Sequence, residues 1–245
     1  MRKIYLPLPI ICLFVSFLLL PVVKAGNNDG TIYRPVKHPT RTGNFTAEQL
    51  SNLIYDSLQL NSMGLPREAL VYAVKGQQTL QQKGLLQHPD ILTVCDFSQP
   101  SDSKRMYIID IKNYKVLLNT YVAHGKNSGL EYARKFSNRL KSQQSSLGFY
   151  ITGNTYSGKH GLSLRLTGLD KGFNDNAARR AVVVHGARYI GESRADAVYM
   201  GRSFGCPAVP QSVAPKVINL IKQGSCLFIY SPLKSYLHGS SILNG

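Results

Sequence analysis

The sequence predicts a β-dominated body behind a short helical segment. Three observations carry this reading. From Ile91 onward, short β-branched or aromatic runs recur with no regular helical crossovers between them. Two stretches with helical spacing of apolar residues precede them. Apolar residues make up 43% of the 245 and charged residues 17%, enough apolar material for a core and too little charge for a disordered chain.

The elements follow in order. Thr46 and Gln49 fit a capping box, with Phe45 and Leu50 as the hydrophobic staple beside it. Leu50, Leu53, Ile54 and Leu58 then share one helical face. Pro66 suits the first turn of a second helix, with Leu70, Ala73, Val74 and Leu80 inward and Gly84 as its stop. Strands are expected at 91–97, 106–111, 115–122, 148–152, 163–167, 181–184 and 226–230. Lys112-Asn113-Tyr114 makes a hairpin turn, and 215–223 a late helix closed by Gly224.

The first 25 residues have the layout of an export signal. Arg2 and Lys3 open it, Leu6 to Val23 is apolar apart from Ser16, and Val23-Lys24-Ala25 suits a cut after Ala25. The expected organisation is a signal at 1–25, a linker at 26–43, a helical segment at 44–88 and a catalytic domain at 89–245. Losing the signal removes three basic residues and no acids, lowering the formal charge of +16 to +13. A basic exported protein meets anionic envelope polymers rather than a genome. Its charge is spread along the chain with no nucleic-acid motif, so no nucleic-acid partner is expected. No stable membrane insertion is expected after signal removal, because no other stretch reaches the roughly 18 apolar residues of a span.

Of four cysteines, Cys12 leaves with the signal, so Cys95, Cys206 and Cys226 remain. An odd number in an oxidising compartment leaves at least one thiol free or paired with another chain. Cys226, at the start of a core strand, reads as a buried thiol. There is no Cys-x-x-Cys and no regular His spacing, so neither a metal nor another cofactor is expected.

The chemistry concentrates between residues 185 and 206. Ala181-Val182-Val183-Val184-His185-Gly186 puts a histidine at the end of an apolar strand. Seventeen residues separate His185 from Ser203-Phe204-Gly205-Cys206-Pro207. A thiol behind a glycine in a tight turn can present both its sulfur and its amide to a carbonyl. A neighbouring imidazole can take the thiol proton.

These residues resemble the L,D-transpeptidases of bacterial cell walls, with a YkuD-type catalytic domain. That family's signature is a histidine, fourteen to seventeen residues, then Ser or Thr, His, Gly and Cys. Here Phe204 replaces the second histidine, and Ala208 stands where an arginine often follows. The likeness is closer to the murein L,D-transpeptidase catalytic domain branch. It is carried by Val94-Cys95-Asp96-Phe97-Ser98 with Lys104-Arg105, Gly158-Lys159-His160-Gly161-Leu162-Ser163-Leu164, Gly172-Phe173-Asn174-Asp175-Asn176-Ala177, and Gly201-Arg202-Ser203 through Gly205-Cys206-Pro207-Ala208. It covers roughly residues 90–232.

The resemblance implies a YkuD-like β-sandwich and a reaction on peptidoglycan stem peptides. Cys206 would attack the carbonyl of the third, diamino-acid residue and expel the terminal D-alanine. His185 would carry the proton, oriented by the Gly186 carbonyl. The Gly205 and Cys206 amides would hold the oxyanion, and Ser203 would shape the turn. Tyr156 and His160 would form a cleft wall, Tyr199 would help line it, and Arg202 would face stem carboxylates. His124-Gly125 reads as a loop. Two alternatives stay open: water as acceptor, giving a carboxypeptidase or cross-link hydrolase, and a non-catalytic peptidoglycan-binding module, which the departures at Phe204 and Ala208 would suit.

Overall fold

The computed structural model describes residues 45–194 and 196–245. The expected signal and linker, residues 1–43, lie outside the described residues. Helix α1 (Ala47–Ser57) starts at the anticipated capping box: Gln49 N–H donates to Thr46 Oγ1 at 3.1 Å, and Thr46 N–H donates to Gln49 Oε1 at 3.0 Å. Its buried arc runs through Leu50, Ser51, Ile54 and Tyr55. Leu53 is 42% exposed rather than inward, because at about 100° per residue it falls roughly 60° beyond Leu50, away from that arc. Tyr55 turns in instead and donates its hydroxyl to the Leu65 carbonyl.

Helix α2 (Arg67–Gln82) follows Pro66 and buries Ala69, Leu70, Ala73, Val74 and Leu80. Gly84 ends the turn at φ +66. Gly76 lies where α2 presses on the sheet; a side chain there would collide with the Phe149 ring.

Eight strands follow: β1 (His88–Asp96), β2 (Met106–Asp110), β3 (Lys115–Thr120), β4 (Gly148–Gly158), β5 (Gly161–Gly168), β6 (Val183–Ala187), β7 (Ala208–Pro210) and β8 (Ser225–Tyr230). Hydrogen bonding joins the strands of the expected sandwich into one sheet ordered β3-β2-β1-β8-β4-β5-β6-β7. The β1–β8 and β6–β7 pairs are parallel and the rest antiparallel. The β2–β3 hairpin turns as expected: the Asp110 carboxylate accepts the Lys112 and Asn113 amides, and Tyr114 takes φ +47.

The sheet's two outer strands, β3 and β7, do not stay apart. The chain leaving β3 crosses to β7, where Ala123 N–H donates to the Ala208 carbonyl at 2.8 Å and Gly125 bridges Ser203. Edge groups that would otherwise lack partners are thus satisfied. The seam runs through the turn that holds Cys206.

Helix α3 (Ala214–Ile221) leads into β8. Two short helices that the sequence did not suggest, α4 (Lys234–Gly239) and α5 (Ser241–Asn244), bury Tyr236, Leu237, Ile242 and Leu243. Buried Asp170 ties this end down by accepting from Phe149 N–H, Tyr236 OH and Ser240 OH. Asn174 of the Gly172–Ala177 block locks the same corner, donating to the Phe149 carbonyl and accepting from Asp170 N–H. The helices and the sheet share one apolar core. Among the described residues, no helix is long and apolar enough to cross a membrane.

Candidate active site

Alternation along β5 and β6 builds the site. Leu164, Leu166 and Val184 point into the main core. Ser163, Arg165, Val183 and His185 therefore face the other way. His185 is only 3% exposed. Its Nδ1 lies 2.9 Å from the Gly186 carbonyl oxygen. A carbonyl only accepts, so Nδ1 carries the proton and Nε2 keeps its lone pair. Burial pushes the imidazole below its ordinary pKa; the Gly186 bond opposes this and nearby His160 adds to it. Gly186 itself leaves no room for a side chain, since a Cβ would sit 2.8 Å from Gln211 Oε1 and 2.9 Å from Ala214 Cβ.

Cys206 sits beside the start of the same strand. Its Sγ accepts from Val183 N–H at 3.5 Å and lies 3.7 Å from the Ala181 carbonyl. Among the described residues the thiol and the His185 ring make no direct hydrogen bond. Burial raises the thiol pKa, while the Val183 amide and the Arg180 charge pull the other way. Cys95 and Cys226 are free and buried, and burial raises both thiols, Cys95 to about 12.

Ser203 closes the turn. Its hydroxyl donates to the Cys206 carbonyl at 2.6 Å and accepts from Gly205 N–H at 3.0 Å. This corrects one expectation: the Gly205 amide is occupied and does not point at an oxyanion. The Cys206 amide has no acceptor among the described residues. Gly205 is needed for space, because it takes φ +123 and a Cβ would lie 2.7 Å from the Gln144 carbonyl oxygen. Phe204, in place of the signature's second histidine, is 71% exposed and brings no imidazole to the thiol.

The model of the L,D-transpeptidase catalytic domain matches residues 61–230. The chain belongs to the L,D-transpeptidase catalytic domain family. Solved structures with similarity include an L,D-transpeptidase from Mycobacterium smegmatis, at 15% identity and TM-score 0.36 over 58% of this chain and 59% of that one. Another is the helical cell shape determining protein of Campylobacter jejuni, at 13% identity and TM-score 0.40 over 65% and 57%. A third is an L,D-transpeptidase from Stackebrandtia nassauensis, at 10% identity and TM-score 0.31 over 80% and 95%. The chain spans less than two thirds of the first two. No curated protein matches the sequence.

Within this L,D-transpeptidase domain the expected cleft residues fall in different places. His160 stacks on His185 with ring centroids 4.2 Å apart. Tyr156 lies in the same cross-strand row, opposite Ser163, which is itself opposite His185. Arg202 is already engaged: it donates to the Lys126 and Gly129 carbonyls and lies over the Tyr199 ring at 4.9 Å. Its Nη1 therefore braces a turn.

Two supporting residues escaped the sequence reading, and a third was read only as part of a loop. Arg180 donates to the Ser137 and Gln144 carbonyls and to the Ser142 and Ser146 hydroxyls. Its Nη2 comes within 3.2 Å of where a Gly205 Cβ would stand, so its charge is fixed beside the nucleophile turn. Tyr189 packs against Gly201 so closely that a side chain there would strike its ring. His124 lies in a loop, as read, but is fully buried: Arg105 Nη2 donates to its Nδ1 at 2.8 Å, and its carbonyl accepts Ser203 N–H at 3.0 Å. No sequence signal marked Arg180 or Tyr189, since each acts through a neighbour distant in the chain, and the His124-Gly125 pair showed nothing of its burial.

Proposed function

We propose that the chain is an exported L,D-transpeptidase that transfers peptidoglycan stem peptides through a thioester on Cys206. The observation that carries this is the His185 ring, oriented by the Gly186 carbonyl, on the strand that holds the Cys206 thiol. The shifts favour a neutral thiol beside a neutral imidazole at rest, because burial disfavours both charged forms. His185 Nε2 then takes the thiol proton as the sulfur attacks the carbonyl of the diamino-acid residue. The Cys206 amide stabilises the tetrahedral oxyanion. Its collapse breaks the peptide bond, and the imidazolium gives its proton to the departing D-alanine amine. An acceptor amine attacks the thioester, His185 takes its proton, and the thiol is restored. The basic mature chain suits an anionic wall polymer, and the N-terminal signal supports delivery to the envelope.

Cys206→Ala decides the reading. A purified tetrapeptide muropeptide with the native chain is expected to yield dimers joined between two diamino-acid residues, visible by mass spectrometry. The variant is expected to yield none while keeping the native circular dichroism. Full activity in the variant defeats the proposal. Tripeptide alone, with excess acceptor present, would move the assignment to a carboxypeptidase.

A further inference from the structure

We infer that Arg165, laid on the ring of Tyr156, forms a carboxylate subsite that receives the terminal carboxylate of the leaving D-residue; this rests on the proposed function above. Tyr156, Ser163 and His185 are direct neighbours across β4, β5 and β6. Cross-strand neighbours point to one face. Since Leu164, Leu166 and Val184 fill the core on the other face, this row looks away from the core.

Arg165 follows Ser163 by two residues and shares its face. It is exposed, and its guanidinium carbon stands 4.7 Å from the centroid of the Tyr156 ring. The ring is itself packed along Gly158, where a Cβ would lie 2.6 Å from Tyr156 Cε2. An aromatic platform of this kind holds a guanidinium in place without consuming its N–H groups. Among the described residues, no carboxylate and no hydrogen-bond acceptor pairs with Arg165. The cations beside the turn that holds Cys206 differ: Arg105 and Arg180 spend both terminal nitrogens on protein acceptors, and Arg202 commits its Nη1 to two carbonyls. Arg165 is held but unspent.

The spacing suits the leaving group. Two strand spacings put Tyr156 about 10 Å from His185. The departing amine must come within about 3 Å of the imidazole to be protonated. In a terminal residue the carboxylate lies about 3 Å beyond that amine. A further hydrogen-bond length of about 3 Å reaches a guanidinium, whose planar fork matches a carboxylate bidentately. One extended residue thus matches the roughly 10 Å from His185 to the Tyr156 strand, over whose ring Arg165 is held. The site would select donors that end in a free carboxylate one residue past the scissile bond.

The test compares two tetrapeptide donors, one with a free terminal carboxylate and one with a terminal carboxamide. Their affinities for full-length Cys206→Ala protein are measured by calorimetry, with Arg165 intact, as Arg165→Gln and as Arg165→Lys. Intact Arg165 is expected to favour the carboxylate by about 10–100-fold, as a charge-assisted pair does. In Arg165→Gln the ratio should fall to about one, and Arg165→Lys should keep part of it. A ratio that survives Arg165→Gln overturns the subsite, as does equal affinity for both donors with Arg165 intact. Turnover by the chain with Cys206 present separates the two readings. Normal transfer with an unchanged ratio in Arg165→Gln removes the subsite alone. An Arg165-dependent ratio without transfer removes the proposed function alone.

Discussion

His160 lies flat on His185, with ring centroids 4.2 Å apart and planes 19° from parallel. His160 comes from the β4–β5 turn, and His185 sits in β6 opposite Ser163. The turn therefore folds back over the imidazole proposed as the base, covering one of its faces. Cover and the second imidazole both push the His185 pKa down, against the Gly186 hydrogen bond. The base thus stays neutral to lower pH than a free histidine.

His160→Ala removes the second imidazole and part of the burial. The His185 pKa is expected to rise toward 6.5, so the acid limb of kcat/KM against pH moves to higher pH. Activity is lost mainly on the acidic side, with a smaller change near pH 8. An unmoved acid limb would show that the stack does not tune the base.

Alkylation of Cys206 by iodoacetamide should follow a titration above 9.0, since burial outweighs the Val183 amide and the Arg180 charge. Arg180→Gln removes a charge that favours the thiolate, so the midpoint should rise further. Arg180→Lys keeps the charge and should stay closer to the native midpoint. A midpoint near neutrality in the native chain would mean a preformed thiolate–imidazolium pair instead.

Gly205→Ala forces a Cβ to within 2.7 Å of the Gln144 carbonyl oxygen at φ +123. Backbone must yield, at a cost of about 1–3 kcal/mol. A shift of about 1 Å in the thiol costs on the order of 100-fold in rate. Thermal unfolding and transfer rate together check this; a native rate in Gly205→Ala would show that the turn tolerates a side chain.

His124→Phe removes one of the two buried acceptors of Arg105 Nη2 and one of the two donors to the Gly129 carbonyl. Burial and Arg105 hold His124 neutral, down to about 4, so it accepts from Arg105 through Nδ1 and donates through Nε2. The loss is expected to cost about 1–3 kcal/mol of stability by urea unfolding. The cost should be largest near pH 8 and shrink as pH falls through about 6.5, because the unfolded chain's ordinary histidine takes up a proton that folded His124, held down to about 4, refuses. A cost that stays the same between about pH 8 and pH 5 would contradict the neutral assignment.

Much of the local structure was legible in the sequence. The Thr46–Gln49 box, the Gly84 stop, the hairpin at Asn113 and most strand positions depend on short-range propensity and side-chain periodicity, which a single chain displays. His185, Gly186, Ser203 and Cys206 were also legible, because a strand end and a tight glycine turn are local devices. What the sequence hid depends on contacts distant in the chain. The occupied Gly205 amide follows from how the Ser203 hydroxyl closes the turn. The engagement of Arg202 needs the 126–129 segment, and the cross-strand row of Tyr156, Ser163 and His185 needs strand register. The seam joining Ala123 to Ala208 brings His124 and Arg105 behind the nucleophile turn. The sequence by itself determined which residues can do chemistry and which elements carry them. Only the tertiary structure decided which cations are spent on the protein's own carbonyls and which, like Arg165, meet no protein acceptor among the described residues, because hydrogen-bond satisfaction is settled by packing rather than by order along the chain.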